Sequence, residues 1–151
     1  MNPLKATKPE EQSDAIILSF EERWEQSLVG NKISCVFRKR APTKNDIKWM
    51  YVYVGSPRKA IIGKYEIKEI ELLNVDAAVD LAVLGGLTKS ELLDYAEDYS
   101  QIYLFSVQEF MKADKYADLD ILKGKYKFTP PQSYLILSDF GKNELNKTMF
   151  A

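Results

Sequence analysis

The reading of residues 49–73 decides the fold: WMYVYV over Trp49–Val54, the turn Gly55-Ser56-Pro57, then AIIGKYEIKEIELL over residues 60–73. In the first run Met50, Val52 and Val54 point one way, and Trp49, Tyr51 and Tyr53 the other. That period of two predicts a strand with two distinct faces, one aliphatic and one aromatic. The second run is long for a strand, and its parity slips. Tyr65 and Ile67 share one face, whereas Ile70 and Leu72 have the opposite parity. One extra residue near Lys68-Glu69 accounts for the slip, which predicts a β-bulge there, and Gly63 predicts a second bend. Long strands that bend are what a strongly curved or closed sheet requires.

The flanking sequence adds shorter elements. Residues 15–18 read as a buried strand. Ser19-x-x-Glu22 has the form of a capping box and predicts a helix with Phe20, Trp24 and Leu28 on one face, ended by Gly30. Residues 33–38 read as a strand, and Pro42 marks a loop. Asn74 is the expected cap of a helix over residues 75–84, closed by Gly85-Gly86. Thr88-x-x-Glu91 is a second capping box, opening a helix to about Ala96. Residues 101–110 alternate as a strand. Residues 111–127 are polar and read as loop with a helical turn. Thr129-Pro130-Pro131 is rigid and extended, and a last strand covers residues 134–137 before a polar C-terminal helix. Residues 1–13 are expected to be a loose leader, and residues 14–151 a single domain. Strands and helices do not alternate regularly, which argues against a doubly wound parallel sheet. The predicted class is α+β: a small curved antiparallel or mixed β-barrel with inserted helices.

Composition narrows the chemistry. The 151 residues include no histidine and one cysteine, Cys35. Catalytic triads and dyads that use histidine are excluded, a zinc site is not expected, and no cofactor motif is present. No intrachain disulfide forms with one thiol. The N-terminus lacks an apolar signal core and no stretch is long enough to span a bilayer, so the expectation is a cytoplasmic protein without a membrane contact. Net charge is near neutral but unevenly spread. Residues 32–68 hold ten basic and two acidic side chains, and residues 69–120 hold three basic and twelve acidic ones. Either one face of the molecule carries an electrostatic footprint, or the two halves attract each other within the fold.

Several stretches, in this order, resemble the ASCH family of the PUA-like superfamily. They are Ile16-Ile17-Leu18-Ser19-Phe20 followed by Gly30-Asn31-Lys32, then Val36-Phe37-Arg38-Lys39-Arg40-Ala41-Pro42, then Val52-Tyr53-Val54-Gly55-Ser56-Pro57 with Ala60-Ile61-Ile62-Gly63-Lys64-Tyr65-Glu66. Gly86-Leu87-Thr88-Lys89-Ser90-Glu91-Leu92 and Pro130-Pro131-Gln132-Ser133-Tyr134 extend the match, which covers residues 15–139. The resemblance implies a PUA-like barrel with a cleft beside the first helix and a role in RNA or nucleic-acid metabolism. Members bind RNA, have been linked to nuclease activity, or hydrolyse acylated cytidine nucleosides. Against the family's Gly-x-Lys-x-x-Glu-x-Arg pattern, Gly30 and Lys32 match, Val36 stands at the glutamate, and Arg38 falls one residue late. Against the Lys-x-x-Thr arrangement of the hydrolases, Lys32 is followed by Cys35 at the hydroxyl position.

Two functional expectations follow. The first is binding of RNA, single-stranded nucleic acid or a nucleotide-like ligand, through Lys32, Arg38, Lys39, Arg40, Tyr53, Ser56, Arg58 and Lys59. Arginine presents a planar fork to phosphate, lysine a point charge, and an aromatic face stacks bases. The alternative role for Trp49, Tyr51 and Tyr53 is packing under a helix. The second is a small hydrolase with Lys32 as base, Ser34 or Cys35 as nucleophile and Glu91 as the distant carboxylate. A domain whose acidic half docks a protein partner is a further alternative.

Overall fold

The computed structural model describes residues 2–44 and 46–151. Its strands are β1 (Gln12–Phe20), β2 (Cys35–Arg38), β3 (Trp49–Val54), β4 (Ala60–Asn74), β5 (Gln101–Val107), β6 (Met111–Asp118) and β7 (Tyr134–Ser138). They form one sheet in the order β2-β5-β4-β3-β1-β7, with β6 paired to β4. β1 and β3 are parallel and the other ladders antiparallel, so the sheet is mixed. The helices are α1 (Glu25–Val29), α2 (Val75–Val79), α3 (Lys89–Tyr95), α4 (Leu119–Tyr126) and α5 (Asp139–Met149).

The long strand β4 organises this sheet, and it does so where its sequence slips. Its first half lies between β3 and β6, and its second half pairs with β5. The ladder to β5 shifts register between Ile67 and Glu69, as the change of parity predicted. The ladder to β6 shifts between Ile61 and Gly63. At Gly63 a Cβ would lie 2.4 Å from the carbonyl oxygen of Met111, so only glycine admits that close approach.

Period-two alternation sorts side chains into three cores. Met50, Val52 and Val54 join Ile16, Leu18 and Phe105 on one face of the sheet. Tyr51 and Tyr53 join Leu122, Phe128 and Leu145 beneath α4 and α5, so the aromatic face packs under helices. Cys35 and Phe37 join Leu92, Ile102 and Leu104 beneath α2 and α3.

Four expectations are corrected. The sheet is not closed into a barrel: β2 and β7 are its edges, and no ladder joins them among the described residues. β2 meets β1 through a side chain instead, the Arg38 Nη2 donating to the Ser19 carbonyl oxygen at 3.0 Å. Ser19 caps no helix, because β1 continues through Phe20 and the Ser19 hydroxyl donates to the Pro131 carbonyl. A short 3-10 turn, Glu22–Trp24, leads into α1 instead, although Gly30 does end it. Residues 111–127 are β6 and α4 rather than loop. The apolar residues that β6 buries are the small Ala113 and Ala117, four apart, a spacing that fits one face of a helix as well as one face of a strand, and pairing to β4 decides its conformation. Finally, the expected leader is packed. Leu4 is fully buried, Lys5 bridges to Leu137, and the Ser13 hydroxyl donates to the Leu137 carbonyl.

Candidate functional site

A cleft of about 420 Å³ opens along the β2 edge, where the sheet fails to close. Phe20 at the end of β1 and Trp24 form one wall. Cys35, Val36, Phe37 and Arg38 of β2 form the floor, and Glu91, Asp94 and Tyr95 of α3 form the other wall. Gln132, just before β7, closes one end. The second wall stands close because of glycine. Gly86 has φ +76°, and a Cβ there would lie 3.0 Å from the Trp24 ring and 3.2 Å from Ile33. A left-handed backbone and a tight approach coincide at this one residue.

Arg38 dominates the electrostatics. Its guanidinium lies over the Phe20 ring at 4.5 Å and donates to two backbone carbonyls, Phe37 at 2.9 Å and Ser19 at 3.0 Å. Among the described residues it has no carboxylate partner. Desolvation lowers its pKa from the usual arginine value, although the group stays charged at any ordinary pH. A half-buried cation that meets only neutral dipoles is a receptor for an anion.

Glu91 is already committed. Its carboxylate accepts from the Thr88 backbone N–H at 2.9 Å, while the Glu91 N–H donates to the Thr88 hydroxyl at 3.0 Å. This is the capping box that the sequence predicts. The carboxylate also pairs with Arg23 Nη1 at 3.3 Å, and Arg23 in turn lies over Trp24. These bonds, the Thr88 backbone first, hold the Glu91 carboxyl below the usual range. A Thr88→Ala substitution is expected to cost about 1 kcal/mol through the lost cap, measured by urea unfolding. The contribution of Glu91 itself exists above its unfolded pKa and disappears as pH falls through its lower folded value.

The other predicted residues separate. Cys35 is on the floor, but burial pushes its thiol up to about 11, which removes the thiolate at neutral pH. Lys32 and Ser34 are exposed and outside the cleft lining, and their backbones bond to Ser27, Leu84 and Val107. Lys32, Ser34, Cys35 and Glu91 therefore do not converge. Tyr53 is buried beneath α4 and α5 with its ring 6.1 Å from Phe128. Ser56, Arg58 and Lys59 sit at the exposed β3–β4 turn, away from the cleft. Arg58 grips Glu25 through Nε at 2.9 Å and Nη2 at 2.8 Å, so its charge is satisfied. Lys39 and Arg40 line a neighbouring hollow with Tyr103, Ser133 and Tyr134. Residue-by-residue reading missed Arg23, Trp24, Asp94, Tyr95 and Gln132. Tyr95 and Gln132 do fall in or beside the later stretches of the family resemblance, which is the one signal that marked them.

No family model matches the chain, and no curated protein matches it in sequence. Solved structures do. The ASCH protein of Zymomonas mobilis superposes with a TM-score of 0.80 at 22% identity, covering 90% of this chain and 96% of that one. A serine-to-alanine variant of the same protein gives 0.83 at 20% identity, covering 92% and 99%. The N-terminal domain of McrB from Staphylothermus marinus gives 0.57 at 10% identity, covering 95% and 98%. The chain has the fold of the Zymomonas mobilis ASCH protein.

Proposed function

We propose that the cleft binds a nucleotide, free or as a unit of RNA, with its phosphate on Arg38. The unpaired guanidinium carries this reading. Two of its N–H groups are spent on the Phe37 and Ser19 carbonyls, which set its plane, and the rest of the fork has no protein partner among the described residues. A phosphate is the anion this fork matches best. The walls supply what a base and sugar need. Phe20, Trp24 and Tyr95 offer apolar and stacking surface, and Asp94, Glu21 and Gln132 offer acceptors for exocyclic amino groups. A volume of about 420 Å³ suits one such unit. The likeness to ASCH domains supports a ligand from RNA metabolism. Binding accounts for the cleft better than hydrolysis by Lys32 with Ser34 or Cys35, since the two side chains outside cannot reach a substrate that the floor thiol would attack.

Calorimetric titration with a nucleoside and with its 5′-monophosphate tests this. The monophosphate is expected to bind at least about tenfold more tightly, as a charge-assisted hydrogen bond contributes roughly 1.5–3 kcal/mol. Arg38→Ala is expected to erase that difference. Equal affinity of the wild-type protein and Arg38→Ala for the monophosphate would sink the assignment.

A further inference from the structure

We infer that the outer face of α2, α3 and the 3-10 turn Ala82–Gly85 between them docks a basic segment of another protein, one that brings apolar side chains flanked by lysines or arginines. This surface is separate from the cleft and does not depend on the nucleotide reading. The reason lies in the faces of α3. Leu92 and Ala96 pack into the core beneath the helices. Glu91, Asp94 and Tyr95 lie on one side of that buried stripe and line the cleft. Lys89 and Leu93, four apart, lie on the other side. The Lys89 ammonium is 3.8 Å from the Asp80 carboxylate at the end of α2, so this row of α3 looks toward α2 and away from the cleft.

The layer leaves apolar surface uncovered. α2, the 3-10 turn and α3 each bury one aliphatic residue in the shared core, Ala78, Ala82 and Leu92. α3 packs against both of the others. Residues next to the buried ones stay outside. Val83 is the most exposed large apolar side chain among the described residues, at 75%, and Leu93 and Leu84 are at 50% and 47%. A lone exposed apolar residue is ordinary, but three on one small layer mark an interaction surface.

The charge around them selects the occupant. Residues 76–98 hold six acidic side chains and one basic one. Asp76, Glu97 and Asp98 are exposed and have no ion-pair partner among the described residues. The Asp80–Lys89 pair is long and open to solvent, so it neutralises little. A nucleic acid or an anionic lipid surface is repelled by this field. A second copy docked about a two-fold axis would set the same acids against one another. A basic protein segment is attracted. Its apolar side chains cover Val83 and Leu93 at the centre, and its cations meet the acids at the rim.

Two-dimensional NMR of the isotope-labelled protein tests this, with a synthetic helical peptide of leucine and lysine whose leucines share one face. The controls are a peptide of the same composition in scrambled order and one with glutamate in place of lysine. Saturable amide shifts are expected with the amphipathic basic peptide alone, centred on residues 76–98. Val83→Ser combined with Leu93→Ser, both exposed changes that leave the core intact, should weaken binding at least about tenfold. Asp76→Asn combined with Glu97→Gln should weaken it severalfold and lessen its dependence on salt. Absence of saturable shifts, shifts centred elsewhere, equal binding of the scrambled peptide, or indifference to the serine pair would overturn the inference. So would a wild-type dimer in sedimentation that the serine pair dissociates, because the face would then belong to a second copy.

Discussion

An Arg38→Met variant is expected to lose roughly a hundredfold in affinity for a nucleoside monophosphate while melting within a few degrees of the wild-type protein. The two effects come from the same physical fact. The guanidinium is partly desolvated, and desolvation lowers its pKa, so the folded protein bears a cost for keeping it charged there. Removing a half-buried charge that lacks a counter-charge returns that cost. Against this stands the loss of two donors, to Phe37 and Ser19, each contributing on the order of 1 kcal/mol. Methionine fills a similar path over the Phe20 ring and makes a favourable sulfur–aromatic contact there. Stability therefore changes little, whereas the anion loses its fork. Arg38→Lys separates charge from geometry. An ammonium keeps the charge but has no planar fork to span carbonyl and phosphate together, so it should recover only part of the affinity. Differential scanning fluorimetry and calorimetric titration on the same samples decide. A variant that unfolds far below the wild type, or that binds the monophosphate unchanged, would contradict the account.

Two glycines in helices should respond to alanine with opposite signs. Gly141 lies in the first turn of α5, and a Cβ there would stand 2.4 Å from the Leu4 carbonyl oxygen and 2.8 Å from its Cα. Those are backbone atoms of a fully buried residue, so no side chain can swing aside. The Leu4 carbonyl also accepts from the Ser138 N–H at 2.8 Å, and the Ser138 hydroxyl, which caps α5, donates to the Pro3 carbonyl at 2.7 Å. Displacing the N-terminal segment would break both. Gly141→Ala is expected to destabilise by about 3 kcal/mol, at the upper end of ordinary overpacking. Gly124, inside α4, has nothing within 4 Å of its Cβ position. Gly124→Ala there is expected to stabilise by about 0.5–1 kcal/mol, since alanine loses less backbone entropy on entering a helix. Urea unfolding of the pair gives both signs in one experiment. Equal shifts would refute the packing argument at Gly141.

The local pattern determined a good part of this protein. The two faces of Trp49–Val54, the slipped parity at Lys68-Glu69, the bend at Gly63 and the Thr88–Glu91 capping box all follow from interactions a few residues apart, and all are present. Such features are legible because strand period, glycine and capping chemistry act over that range. β6 was not legible, because its buried residues are small alanines and its conformation is set by pairing with β4.

The site shows the division most clearly. Residues 32–68 carry ten basic side chains that sequence alone treats as one charged segment. Tertiary structure gives them different fates. Arg58 meets Glu25 from across the fold, Lys44 meets Asp46, and Lys32 stays exposed outside the cleft. Arg38 reaches a partly desolvated place where it meets the Phe20 ring and two backbone carbonyls but, among the described residues, no carboxylate partner. The sequence determined that the charge exists and which residues could grip a phosphate. Which of those charges is left unpaired depended on partners distant along the chain, and on a sheet that stops short of closing beside β2.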